Sequence, residues 1–176
     1  MADRSVGYAA GMLVFDRDGK RFCYRVAAVI VHRGRVLIQA VEEGPGVADG
    51  PFYCLPGGRV EHGETAEQCI DREMREELGE EVRVERLLWF MENFFEHEGM
   101  SWHEIGLYFL VSLPERSRFI ESDGPHWGVE PEIGIKFRLE WHDVKRLDGV
   151  RLLPSFLRRA LRSLPDRAQF VVHRDE

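Results

Sequence analysis

The sequence predicts an α+β fold with one sheet and few helices, on three observations. β-rich runs recur along most of the chain, only two segments carry helical periodicity, and short turns, not helices, join the first strands. A doubly wound parallel sheet needs a helix after nearly every strand, and this chain has too few. At 176 residues, with 44% hydrophobic and 31% charged, it suits one ordinary globular domain over 1–176. No repeat, low-complexity stretch or interdomain linker is visible.

"AAGMLVF" (9–15) is strand-like and "DRDGK" (16–20) is a turn, with Asp and Gly where positive φ is tolerated. "RFCYRVAAVIV" (21–31) is β-rich again, so 1–31 is expected to hold an N-terminal hairpin and the first strand. "HRGR" turns the chain into "VLIQAV" (36–41), and 42–51 is a Gly/Pro-rich loop. "FYCL" then leads into a Gly-Gly turn. A helix follows from about 65 to 78: Thr65 and Gln68 make a capping box, Gly79 is the natural C′ residue, and Ala66, Ile70, Met74 and Leu78 form an apolar stripe for the core. "VRVERLLWFMENFF" (82–95), "HEIGLYFLVSL" (103–113) and "IKFRLEW" (135–141) read as strands, with an irregular segment over 114–134. A second helix is expected over 152–164, between Pro154 and Pro165.

The formal net charge of −7 argues against general binding to a nucleic acid polymer or an anionic membrane. Cys23, Cys54 and Cys69 are odd in number and lack a CxxC pair, so buried thiols in a reducing compartment are expected. The first residues lack a leader-like apolar stretch after a basic one, and no run approaches the roughly 18 apolar residues of a membrane span. The expected location is the cytoplasm.

The predicted helix is crowded with carboxylates. Glu73, Glu76 and Glu77 stand at i, i+3 and i+4, so they converge on one side and repel. A hard divalent cation, Mg²⁺ or Mn²⁺, removes that repulsion and keeps waters for a phosphate to replace. A bare ExxEE is usually just a solvated helix face. Here Gly58, Glu64 and Arg72-Glu73-Met74-Arg75-Glu76-Glu77-Leu78-Gly79 reproduce GX5EX7REUXEEXG, seven fixed identities that chance would supply on the order of once in a million.

The chain therefore resembles the Nudix hydrolases through this box, 57–79. The resemblance implies a mixed β-sheet between helices, here with an extra N-terminal hairpin. It also implies metal-dependent hydrolysis of a nucleoside diphosphate linked to another moiety. Residue by residue, Glu73, Glu76 and Glu77 match the metal-binding and catalytic glutamates. Gly57 matches the residue whose carbonyl completes the coordination shell. Gly58 matches the sharp backbone turn, and Glu64 with Arg72 matches the pair that braces loop against helix. One position departs: Glu80 stands where the family usually has an apolar residue, with Val82 the nearest substitute.

Outside the box, Glu130 and Glu132, stiffened by Pro131, are candidates for a further ligand or general base, with Glu104 and His103 as alternatives. Against each stands an ordinary surface or structural role. Arg59 follows the Gly-Gly turn and could meet a phosphate oxygen. Phe52 and Tyr53 could stack a base, although strand aromatics more often belong to a core. The proline, tyrosine and coenzyme A signatures of three Nudix subclasses are absent, which leaves the substrate open among small nucleotides such as an NTP or NDP-sugar. The intact box favours an enzyme over a silent nucleotide-binding module. The apolar "YAAGMLVF" is expected to cover the sheet or to join a homodimer interface.

Overall fold

The computed structural model describes residues 11–42, 47, 50–129 and 136–175. Its strands are β1 (Val14–Arg17), β2 (Lys20–His32), β3 (Arg35–Val41), β4 (Phe52–Cys54), β5 (Arg83–His97), β6 (Met100–Ser112), β7 (His126–Val129), β8 (Lys136–Asp143) and β9 (Gln169–Arg174). Helix α1 (Ala66–Glu73) runs into one π turn (Met74–Leu78), and α2 (Arg118–Glu121), a 3₁₀ segment (Val144–Gly149) and α3 (Leu157–Ala160) are short.

The strands form a mixed sheet in the order β7-β8-β3-β2-β6-β5-β9, with β1 added to β2 and β4 to β3. The pairs β2/β6 and β5/β9 are parallel, and the others are antiparallel. Alternation along β2 serves two cores. Val26, Ala28 and Ile30 pack with Ile70, Met74 and Leu78 under α1 and the π turn. Ala27 and Val29 pack on the other face with Leu147, Leu152, Leu157 and Leu161. A sheet with helical segments on both faces is the α+β arrangement expected.

The N-terminal hairpin is present, turning at Asp18 and Gly19. Residues 9 and 10 of its expected first strand lie outside the described residues; β1 begins at Val14, after Met12 bridges Glu61. The capping box of Thr65 and Gln68 is formed, and Gly79 closes the helical stretch in the left-handed conformation at φ 70°. The segment expected to be irregular contains α2 and β7. The helix expected over 152–164 shrinks to α3, because Leu152 and Leu153 are committed to pairing with Tyr53. Strand β9 was not expected: a run after Pro165 with two valines and one Phe carried too little apolar periodicity to be read as a strand.

Candidate functional site

The Gly-Gly loop is held like an extra strand against the edge of β2. Val26 N–H donates to Gly58 O at 2.9 Å, Ala28 N–H to Pro56 O at 2.8 Å, and Val60 N–H to Tyr24 O at 3.0 Å. Gly57 takes φ +135° and has the β2 backbone where a Cβ would stand, with Val26 O closest and Ala27 Cα at 2.9 Å. Gly58 lacks a Cβ for a different reason: the Glu73 carboxylate occupies that space, its Oε2 at 2.6 Å. The first glycine lets the loop meet the strand, and the second lets a carboxylate meet the loop.

Arg72 is the hub. Its Nε and Nη2 donate to the two Glu64 oxygens at 2.9 and 3.1 Å, a bidentate pair. Nη1 donates to Glu73 at 2.7 Å and to Glu76 at 3.2 Å, and Nη2 also reaches Arg59 O at 3.1 Å. Glu64 in turn accepts from Glu61 N–H at 3.0 Å. Burial would raise the Glu64 carboxyl, but the Arg72 hydrogen bonds and the Glu61 N–H outweigh it and hold the group below its usual range. The Glu64 hydrogen bond pushes the Arg72 guanidinium the opposite way, further above neutrality. Glu77 accepts from Gly57 N–H at 2.8 Å, which ties the π turn to the Gly-Gly loop. Glu73 and Glu77 are buried, whereas Glu76 is exposed.

The structure thus brings together Gly57, Gly58, Glu64, Arg72, Glu73, Glu76 and Glu77. One guanidinium is shared by three carboxylates, so that set carries net negative charge. Among the described residues, no three His, Cys, Asp or Glu side chains converge closely enough to enclose an ion as they stand. The donor atoms are nonetheless oxygens throughout, the kind a hard divalent cation takes, with the Gly57 carbonyl on the loop that Glu77 contacts. Glu80, the departure from the box pattern, accepts from the buried Ser117 hydroxyl at 2.7 Å and so fastens the start of α2 to the end of the π turn.

The remaining candidates are scattered. Glu130 and Glu132 lie outside the described residues. Tyr53 has its hydroxyl on Glu140 at 3.2 Å and its ring edge-on to His142, so it is engaged in packing; Phe52, half-buried, pairs with Val41 in β4/β3. Arg59 lends its carbonyl to Arg72, and its charge adds to the field that lowers the Asp16 carboxyl, whose main cause is the hydrogen bond from Arg21. His103 stacks on Phe94 at 4.4 Å within a separate hollow of the hairpin region that Phe15, Arg21 and Trp102 also line. Glu104 is buried and accepts from the Cys23 thiol at 3.6 Å. Burial and that carboxylate push the Cys23 thiol up to about 12, and burial takes Cys54 to about 11. Both stay protonated at neutral pH, as expected of structural thiols.

Two features escaped sequence reasoning. Arg25, within the apolar run of β2, reaches Gly57 O with Nη2 at 3.4 Å, while its buried Nε has no hydrogen-bond partner among the described residues. A lone Arg in "YRVAAVIV" was the available signal. The other is a cavity of about 590 Å³ beside the π turn, lined by Glu76, Glu77 and Glu80, by Arg116 and Arg118, and by Trp127 and Gly128.

The family profile described as "NUDIX domain" matches residues 7–163. The chain is 32% identical over 142 residues to an NAD-capped RNA hydrolase NudC of Chromobacterium violaceum, covering 79% of this chain and 45% of that protein. It is 30% identical over 149 residues to the 8-oxo-dGDP phosphatase NUDT18 of Mus musculus, covering 82% and 43%. The chain therefore spans less than half the length of these curated relatives. Its fold matches the crystal structure of a NUDIX hydrolase from Nitrosomonas europaea with a TM-score of 0.57 at 16% identity, over 87% of this chain and 79% of that one.

Proposed function

The chain belongs to the NUDIX family, and from that premise we propose that it is a Mg²⁺- or Mn²⁺-dependent pyrophosphohydrolase of a small nucleotide, an NTP or an NDP-linked molecule. The observation that carries this reading is the Arg72 hub, which holds the Glu73 and Glu76 carboxylates while Glu77 is held against the Gly-Gly loop. Glu73, Glu76, Glu77 and the Gly57 carbonyl would hold the cation. When bound, it supplies Lewis-acid polarisation of the phosphate oxygens and stabilises the leaving charge. The chain's own contribution is to fix these groups before substrate arrives. Arg72 and Glu64 lock the brace, Gly58 leaves room for Glu73, and a carboxylate takes the proton of the attacking water. Glu130 and Glu132 remain proposed for a ligand or base from outside the box, and Arg59 for a phosphate contact.

A hydrolysis screen over NTPs, nucleoside diphosphates and nucleotide sugars, with each ion, tests the proposal. Glu77→Gln is its control. The amide oxygen keeps an acceptor for Gly57 N–H, and one charge leaves a crowded cluster, so the metal-free protein should melt at the same temperature or slightly higher. Turnover should fall at least about a hundredfold, because several kcal/mol of Lewis-acid stabilisation depend on the site. Undiminished turnover of this variant at saturating metal would sink the assignment. A second reading, hydrolysis at the capped end of RNA, draws on the likeness to the NAD-capped RNA hydrolase of Chromobacterium violaceum.

A further inference from the structure

Trp127 is 55% exposed, an unusual position for the largest side chain, while Trp89 and Trp102 are buried at 2% and 7%. It does not stand on a loose surface. Strand β7 is an edge strand, pressed against the turn that carries Glu76 and Glu77. Gly128 makes this approach possible: a Cβ there would run into the Phe137 ring and stand 2.7 Å from Glu77 O. Arg118 then pins the contact, with Nη2 donating at 3.2 Å both to Leu78 O, at the end of the π turn, and to Trp127 O. One guanidinium nitrogen thus joins the backbone of the proposed catalytic turn to the backbone of the exposed tryptophan. Both line the same cavity, and Arg116 and Arg118 place positive charge on its wall.

We propose that Trp127 is the platform on which the planar base of the nucleotide substrate stacks. The assignment rests on the nucleotide reading above and adds the residue that selects for a base. An indole face offers base stacking that tolerates any nucleobase. A ribose phosphate with no base would gain nothing from it. Trp127 is therefore a specificity-determining residue and does not touch the reacting phosphorus, so its loss should act on binding and not on the chemical step.

Intrinsic fluorescence and steady-state kinetics on the full chain test this together. Of the four tryptophans, Trp141 is half-buried and bonded through Nε1 to Phe119 O, so Trp127 dominates the solvent-exposed emission. ADP, GDP and UDP should quench that emission, and ribose 5-phosphate should not. Trp127→Ala should abolish the quenching and raise KM for nucleotides about tenfold or more, with kcat little changed. Trp127→Phe, which keeps an aromatic face, should restore most of the affinity. An unchanged KM in Trp127→Ala, or quenching by ribose 5-phosphate as strong as by ADP, would overturn the platform. The two readings fail separately: base-dependent quenching without hydrolysis of any nucleotide keeps the platform and removes the hydrolase, whereas hydrolysis with a base-independent KM does the reverse.

Discussion

Gly57 and Gly58 are adjacent and look interchangeable in a string of letters, yet they answer to different neighbours. A Cβ on Gly57 would meet the backbone of β2 at a φ that L-residues rarely adopt. Backbone cannot swing aside, so Gly57→Ala should destabilise the fold by at least about 2 kcal/mol. The three atoms nearest a Cβ on Gly58 all belong to the carboxyl end of the Glu73 side chain. That carboxylate can move, but only by leaving its 2.7 Å hydrogen bond with Arg72. Gly58→Ala should therefore keep a near-normal thermal midpoint and lose most of its activity. Thermal melts and turnover measured on the pair check this, and equal losses of stability in both variants would contradict it. At this scale the sequence was most legible where identity alone sets chemistry. Carboxylates at i, i+3 and i+4, an Arg among them and glycines before them could be read directly. What could not be read was engagement. Tyr53, a stacking candidate, and His103, an alternative ligand or base, could be named by type, but their contacts with Glu140 and with Phe94 could not be.

Elements were legible when local signals agreed with one another. The α1 stretch had a cap, an apolar stripe and a terminating glycine, and it forms where they placed it, ending in a π turn that no spacing announces. Such turns are rare and often mark functional sites; this one carries Glu76 and Glu77. The 152–164 helix had prolines and periodicity but is cut to Leu157–Ala160, its start taken by pairing of Leu152 and Leu153 with Tyr53 of β4, a long-range preference that local sequence does not encode. The N-terminal hairpin raises a testable matter of cover. Phe15 on β1 is 63% exposed, while Arg21 beside it on β2 is buried and stacks 4.7 Å above Trp102. Deleting residues 1–20 would strip β1 from β2 and uncover part of that edge. The truncated protein should melt at a lower temperature or change its size on gel filtration. If it kept both the midpoint and the size of the full chain, the hairpin would be neither a cover nor part of a homodimer interface.

At the scale of the whole molecule, charge separates the two substrate readings that the site leaves open. The formal net charge is −7, and no described helix is long and apolar enough to cross a membrane. The cationic groups lining the cavity, Arg116 and Arg118, stand beside Glu76, Glu77 and Glu80 and do not form a continuous basic track. A long polyanion bound along its backbone releases counterions at every phosphate it pairs. A protein contacting six to ten phosphates loses roughly 10³–10⁵ in affinity between about 50 and 200 mM salt. A small nucleotide held by a cation, one or two arginines and a stacked base has few such contacts, so its affinity should fall only several-fold over that range. The measurement is KM against salt for an NTP, an NDP-sugar and a capped oligonucleotide, at constant free Mg²⁺. Shallow slopes and faster turnover of the small substrates are expected. A capped oligonucleotide turned over much faster than every small nucleotide, with a steep slope, would move the substrate to RNA ends. The same chemistry at phosphorus would remain, with Trp127 then facing the base of the cap.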